Sequence, residues 1–140
     1  MALTYTAPFT QGPQSRTLTG FTAIGVIGGG TTTNMSTIAN AGPNGAIVTK
    51  VTAMPMGTVT ASSLVLMETS SSGGGTTVFP VDSVAMPAYT QSTATALPVT
   101  EFSKITPETP KRLGPGMSLV VGCEVAQASG ISYHCEWENF

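Results

Sequence analysis

Glycine and proline divide this chain into segments that are too short for long helices. Its 140 residues include 16 Gly and 10 Pro, which recur along the whole length. Charged residues make up only 9% of the chain, so the Lys, Glu and Arg that usually cover helix surfaces are scarce. Thr and Val take their place, and both suit a pleated, half-buried strand. The sequence therefore predicts an all-β fold.

The length is that of one ordinary domain with its own hydrophobic core. Short strands separated by turn residues at regular spacing are typical of a β-sandwich, and we expect a single-domain sandwich of the jelly-roll type over residues 21–140. Residues 1–20 contain Pro8, Gly12 and Pro13 and show no period, which predicts an extended N-terminal arm. The alternative for these residues is a frayed terminus.

Short apolar or alternating segments predict the strands of this sandwich. Before the final third of the chain they cover residues 21–27, 46–56, 59–69, 76–81, 84–89 and 97–105. A turn is expected at residues 42–45 and a flexible Ser/Gly loop at residues 70–75. Alternation within the second predicted strand places four side chains on one face, namely Ile47, Thr49, Val51 and Ala53.

The last two predicted strands, residues 118–125 and 131–137, form a hairpin across the turn of residues 126–130. In that register Cys123 faces Cys135, with apolar neighbours on the same face. The two thiols are then either a buried, reduced pair or a disulfide that forms when a released particle meets an oxidising medium.

His134 is the only histidine, and its position beside Cys135 raises the question of a Cys/His nucleophile or a metal site that includes Cys123. Adjacent residues of a strand point to opposite faces, so His134 is separated from both sulfurs in the predicted hairpin. No fourth ligand is evident. We therefore expect no catalytic residues, no metal and no cofactor, and we do not expect an enzyme.

Charge and hydropathy restrict the partners. A net charge of −2 and five scattered basic residues give no patch for nucleic acid. No segment is apolar enough to span a membrane, and the first residues do not have the pattern of a signal peptide, so we expect synthesis in a cytoplasm. A weakly charged surface rich in Thr, Ser and Gly favours assembly with other subunits.

Residues 105–137 resemble the ends of small virion proteins of tailed phages. Leu113 is followed by the turn Gly114-Pro115-Gly116 and then by an apolar strand. The last predicted hairpin finishes in acidic residues around Trp137. In the proteins that this chain resembles, the same step from a leucine through a glycine-rich turn to an apolar strand precedes the closing hairpin.

The resemblance implies a head decoration (cement) protein, or else a tail, collar or fibre-base component. Such proteins are commonly β-sandwiches, often trimeric, and carry no catalytic residues. The partners it implies are the major capsid protein or other virion subunits, and the location is the virion, assembled in the host cytoplasm. The N-terminal arm would provide the capsid contact, through Thr4, Tyr5, Phe9 and Arg16.

A carbohydrate-binding β-sandwich is the alternative from another class. Binding sites for sugars usually display exposed aromatic rings. The candidates beside the phenylalanines are Tyr5, Tyr89, Tyr133 and Trp137.

Overall fold

The structure, a computed structural model, describes residues 13–24, 34–69 and 77–140. These residues contain no helix, and therefore none that is long and apolar enough to cross a membrane. They form nine strands: β1 (Pro13–Gly20), β2 (Ser36–Asn40), β3 (Ala46–Pro55), β4 (Ser62–Thr69), β5 (Val78–Met86), β6 (Thr100–Glu101), β7 (Lys111–Leu113), β8 (Ser118–Cys123) and β9 (Ile131–Asn139). The all-β prediction is confirmed.

The strands form two antiparallel sheets that pack face to face as a sandwich. Sheet A has the order β1-β9-β3-β6, with β7 also paired to β3. Sheet B has the order β2-β8-β4-β5. The chain changes sheet at most of its connections, so strands that are neighbours in sequence rarely pair with each other. Among the nine described strands, β4 and β5 are the only consecutive strands that pair with each other.

Alternating side chains build the core between the sheets. Strand β9 turns four side chains inward and its polar residues outward. The inward residues are Ile131, Tyr133, Cys135 and Trp137. Sheet B contributes the residues that pack against them: Leu64, Leu66, Leu119, Val121 and Cys123. This alternation forms the main hydrophobic core, which lies between the two sheets.

A second, smaller apolar cluster lies on the outer face of sheet B. It consists of Val65, Met67, Val78 and Val120, all buried. Ile24 and Met35 pack on it, and the Ile24 N–H donates to the Cys123 carbonyl at 2.8 Å. The chain that follows β1 therefore covers part of the outside of sheet B.

The predicted boundary between an arm and the domain at residue 20 is wrong. Residues 13–20 are strand β1, paired along its whole length with β9. Because β1 is an edge strand with mostly exposed polar side chains, it lacks the apolar alternation that identifies a half-buried strand. Residues 1–12 lie outside the described ranges. Of the strand predicted at residues 21–27, the described residues 21–24 make one isolated bridge, at Ala23.

The predicted hairpin of the last two strands is also wrong, although both strands exist. Strand β8 belongs to sheet B, where it pairs with β2 and β4, and β9 belongs to sheet A, where it pairs with β1 and β3. The connection of residues 124–130 therefore crosses from one sheet to the other. A short turn between two apolar strands fits both arrangements, and long-range pairing decides between them.

Strand β3 ends at Pro55 as predicted, and the turn before it is confirmed by the bond from the Gly45 N–H to the Gly42 carbonyl, 3.0 Å. Its predicted faces are wrong, because the register with β9 shifts between Val48 and Lys50. This β-bulge at Thr49 reverses the alternation, so that residues on both sides of it turn into the core.

The strands predicted at residues 76–81 and 84–89 are one strand, β5. Asp82 and Ser83 are typical turn residues, but here the Asp82 carboxylate accepts bonds from the backbone N–H groups of Ser83 and Lys104, at 2.8 and 3.1 Å. These bonds satisfy a buried acid inside the strand. Of the strand predicted at residues 97–105, only the two residues of β6 are a strand. The sequence does not predict β2. The predicted Ser/Gly loop at residues 70–75 lies outside the described ranges.

Candidate functional site

Cys123 and Cys135 are both buried free thiols in the core, but they lie on facing sheets rather than on paired strands. Cys135 pairs with Val51 and Arg16 across sheet A, and Cys123 pairs with Leu64 across sheet B. The Cys123 thiol lies 3.6 Å from the Thr22 carbonyl. Both thiols are therefore buried and free, and the cross-strand pairing of Cys123 with Cys135 that the sequence predicts is wrong.

Burial makes these thiols poor nucleophiles. It raises the pKa of Cys135 to about 12, and the neighbouring Glu136 carboxylate adds to the shift. Burial raises the pKa of Cys123 as well. The Tyr133 hydroxyl lies beside the Cys123 thiol and is buried without a hydrogen-bond partner of good geometry; burial raises its pKa too. Protonated groups of this kind suit packing rather than covalent chemistry.

His134 lies on the outer face of sheet A, as the alternation of β9 requires. Its Nδ1 lies 3.0 Å from the Thr17 hydroxyl, and its Nε2 lies 3.4 Å from the Glu136 carboxylate. The imidazole thus links β1 to β9 on the side opposite the two thiols. In the described part of the chain no three His, Cys, Asp or Glu side chains come together as a metal site would require.

A shallow groove of about 360 Å³ runs beside His134 on sheet A. Its lining comes from β1, β9 and the bulge of β3: Pro13, Gln14, Ser15, Thr49, His134, Glu136, Trp137 and Glu138. The Trp137 side chain is only 9% exposed, so it offers no face on which a sugar ring stacks. Tyr133 is buried as well. The groove therefore gives the carbohydrate alternative little support.

The residues predicted for capsid contact divide between described and undescribed parts of the chain. Thr4, Tyr5 and Phe9 lie outside the described residues. Arg16 lies in β1, where it is exposed. Six of the eight residues of β1 are exposed, and no described residue pairs with the outer edge of this strand. Arg16 therefore lies in a strand whose outer edge pairs with no other strand of the described ranges.

One end of the sandwich is held together by hydrogen bonds between its connections. We call it the arch end and define it by residues 21–24, 56–61, 87–99 and 124–130. Val59 and Tyr89 exchange two backbone bonds, at 2.9 and 3.0 Å. The Met56 N–H donates to the Gly130 carbonyl at 3.0 Å.

Gln127 is the centre of this network. Its buried side-chain amide accepts from the Thr60 N–H and donates to the Thr60 carbonyl, both at 3.0 Å. Its backbone N–H donates to the Phe21 carbonyl at 2.8 Å, and its carbonyl accepts from the Gly130 N–H at 3.0 Å. The arch end therefore has a fixed backbone rather than independent loops.

Large apolar side chains are exposed on this fixed backbone. Phe21, Met56 and Val125 are 52%, 50% and 44% exposed, and Leu97 and Val99 are exposed too. The sequence prediction missed this surface. All five residues fall in segments that the sequence predicts as strands, whereas in the structure they lie in connections. Only the fold gathers these four connections at one end.

No known protein family matches this chain, and neither a characterised protein sequence nor a solved structure is significantly similar to it. Two surfaces of the molecule are candidates for binding a partner, the outer edge of β1 and the apolar arch end.

Proposed function

We propose that this protein is a structural subunit of a tailed-phage virion, a decoration (cement) protein that binds the outer surface of the head. The observation that carries the proposal is the outer edge of β1, which pairs with no other described strand and belongs to a strand with six exposed residues out of eight. An edge strand presents unpaired backbone N–H and C=O groups to which another chain can add a strand. Only Pro13 at the start of β1 and the single charge of Arg16 protect this edge. The major capsid protein of a lattice could supply the added strand.

A subunit that binds only the assembled shell stabilises it by mass action, because binding favours the bound state. This function requires no reactive groups. The buried, protonated thiols and the absence of a metal cluster from the described residues are compatible with it. We expect a homo-oligomer, with a trimer favoured, that is located on the virion.

The strand pairing supports a jelly roll as the finer description of the sandwich. A jelly roll is a folded-back ribbon of strand pairs that is wound into two sheets. The pairs of such a ribbon are present here: β1–β9, β2–β8, β3 with β6 and β7, and β4–β5. Jelly rolls occur in viral capsid proteins and in lectins. The winding is in keeping with a virion subunit, although a fold alone does not assign a function.

Co-sedimentation with capsids tests the proposal. The purified protein is mixed with expanded, undecorated heads of the phage and, as a control, with unexpanded shells. We expect saturable binding to the expanded form, at a stoichiometry set by the lattice. Binding to neither form would contradict a decoration role and favour the tail, collar or fibre-base alternative, in which the purified protein forms rings or filaments.

A pair of charge reversals tests the edge of β1 in the same assay. Arg16→Glu changes the one charged side chain of that strand, and we expect it to weaken binding about tenfold. Arg112→Glu is the matched control, because Arg112 is exposed in β7, away from the β1 edge of the same sheet. Equal effects of the two reversals would show that β1 is not the contact.

A further inference from the structure

The arch end concentrates the exposed apolar side chains of the molecule. Six large apolar side chains are exposed among the described residues, and five of them belong to the arch end. The sixth, Phe79, lies near the start of β5, at the opposite end of the sandwich. Monomeric proteins rarely collect exposed apolar groups in this way unless the surface binds something.

The same end is almost free of charge. The chain has five basic and seven acidic side chains, and all of them lie in described residues. Only one, Glu124, belongs to the arch end. Depletion of charge together with enrichment in apolar side chains distinguishes the centre of a protein interface from the remaining surface.

Hydrogen bonds join the connections that form this surface. Gln127 joins Thr60, Phe21 and Gly130, and the Val59–Tyr89 bonds join two further connections. The Phe21 ring packs directly over Gly130, where a Cβ atom would collide with it. Association through such a surface orders few groups, which lowers its entropic cost.

We infer that the arch end is the surface through which copies of this chain associate around a shared symmetry axis. The occupant follows from the charge pattern: a partner rich in charge would leave its ions unpaired against this surface, whereas a second arch end matches it. Association of copies around one rotation axis closes into a small symmetric oligomer rather than a filament. This inference does not depend on the proposed virion function.

Two substitutions at the arch end test this association. Met56→Glu with Val125→Glu places two acidic groups on the surface while leaving Gln127 and its bonds unchanged. We expect the wild-type protein to have a mass that is a small multiple of 14.2 kDa by light scattering. We expect the variant to be a monomer, with association weakened about 100-fold or more, since two buried apolar side chains are lost and like charges meet.

Phe79→Glu is the matched control, because Phe79 is 51% exposed at the opposite end of the sandwich. We expect this variant to keep the wild-type mass. Circular dichroism checks the fold of each variant. If the charged double variant does not fold, the milder Met56→Gln with Val125→Thr replaces it, and we expect about tenfold weaker association by sedimentation velocity.

Three results would overturn the inference: a monomeric wild-type protein, an oligomeric folded variant, or equal dissociation by Phe79→Glu. The capsid experiment separates this inference from the proposed function. A monomeric arch-end variant that still binds heads supports association through this end, and an oligomer that binds no heads contradicts only the decoration role.

Discussion

The side chain of Gln127 pairs with the backbone of Thr60 as a neighbouring strand would. The Thr60 N–H donates to Oε1, Nε2 donates to the Thr60 carbonyl, and each distance is 3.0 Å. The amide is 2% exposed. One side chain thus fixes the connection between the two sheets to the connection that follows β3, and it supports the surface through which we expect copies to associate.

Replacing Gln127 by Leu tests this pairing. The substitution keeps the approximate volume and removes all three hydrogen bonds between the side-chain amide and Thr60, which leaves the Thr60 groups with poorer partners. We expect the free energy of unfolding to fall by about 1–3 kcal/mol in urea titrations. Gln91→Leu is the control, because Gln91 is exposed in a neighbouring connection, and its effect should stay within about 0.5 kcal/mol. An equal loss in both variants would contradict the special role of Gln127.

Gly122 and Ile24 provide a second prediction. Gly122 lies in β8, and a Cβ atom added to it would collide with Cγ2 of Ile24. Because Ile24 is β-branched and packs on the outer cluster of sheet B, we expect Gly122→Ala to destabilise the fold by about 1–3 kcal/mol. In Gly122→Ala with Ile24→Ala the collision is removed. A double-mutant cycle should show coupling of at least about 0.5 kcal/mol, and strictly additive effects would contradict the contact.

Local patterns were sufficient for some strands and not for others. Strand β9 was predicted because its buried and exposed residues alternate from Ile131 to Trp137, and β3 because it is apolar and ends at Pro55. The bulge at Thr49 was not predictable, since it depends on the register with β9. Strand β1 was assigned to an arm because an edge strand with exposed side chains has no apolar face to detect.

The candidate surfaces are even harder to predict from local sequence than the strands, because they depend on contacts between residues far apart in the chain. The sequence placed His134 away from the thiols for a sound reason, the alternation of a strand, and that separation is confirmed. The pairing of Cys123 with Cys135 failed because two strands joined by a short connection entered different sheets. No feature of the local sequence indicates that Gln127 is buried, because the hydrogen-bond partner of its side chain, Thr60, is far away in the chain.

Gly130 carries a third prediction. Its φ of +77° lies in the left-handed region, which L side chains rarely adopt, and the Phe21 ring covers it. We expect Gly130→Ala to lower the free energy of unfolding by about 1–3 kcal/mol in urea, from backbone strain and the collision with the ring. Gly42→Ala is the matched control, since a Cβ there makes only ordinary contacts with Asn139. A loss in the control as large as that in Gly130→Ala would show that neither feature matters.

The buried thiols predict how stability depends on pH. Burial raises the pKa of Cys135 from an ordinary value of 9.0 to about 12 in the folded chain. Above the ordinary value the unfolded thiol loses its proton while the folded thiol keeps it, so the folded state binds more protons and its stability falls as pH rises. The contribution is complete below pH 9.0 and is lost on approach to about pH 12. Cys123 and Tyr133 shift in the same direction and add to the loss.

Urea titrations under reducing conditions, from neutral pH to about pH 10, measure this loss, which should reach about 1.4 kcal/mol per pH unit for each thiol that deprotonates on unfolding. Cys135→Ala should reduce the slope of the free energy of unfolding against pH in the alkaline range. A loss of packing would lower the free energy of unfolding at every pH and would leave that slope unchanged. His134→Gln, on the outer face of the same strand, should leave the slope unchanged. A slope that is the same in wild type and Cys135→Ala would mean that the thiol is ionised or accessible in the folded protein, and a thiol reagent would then label it without unfolding.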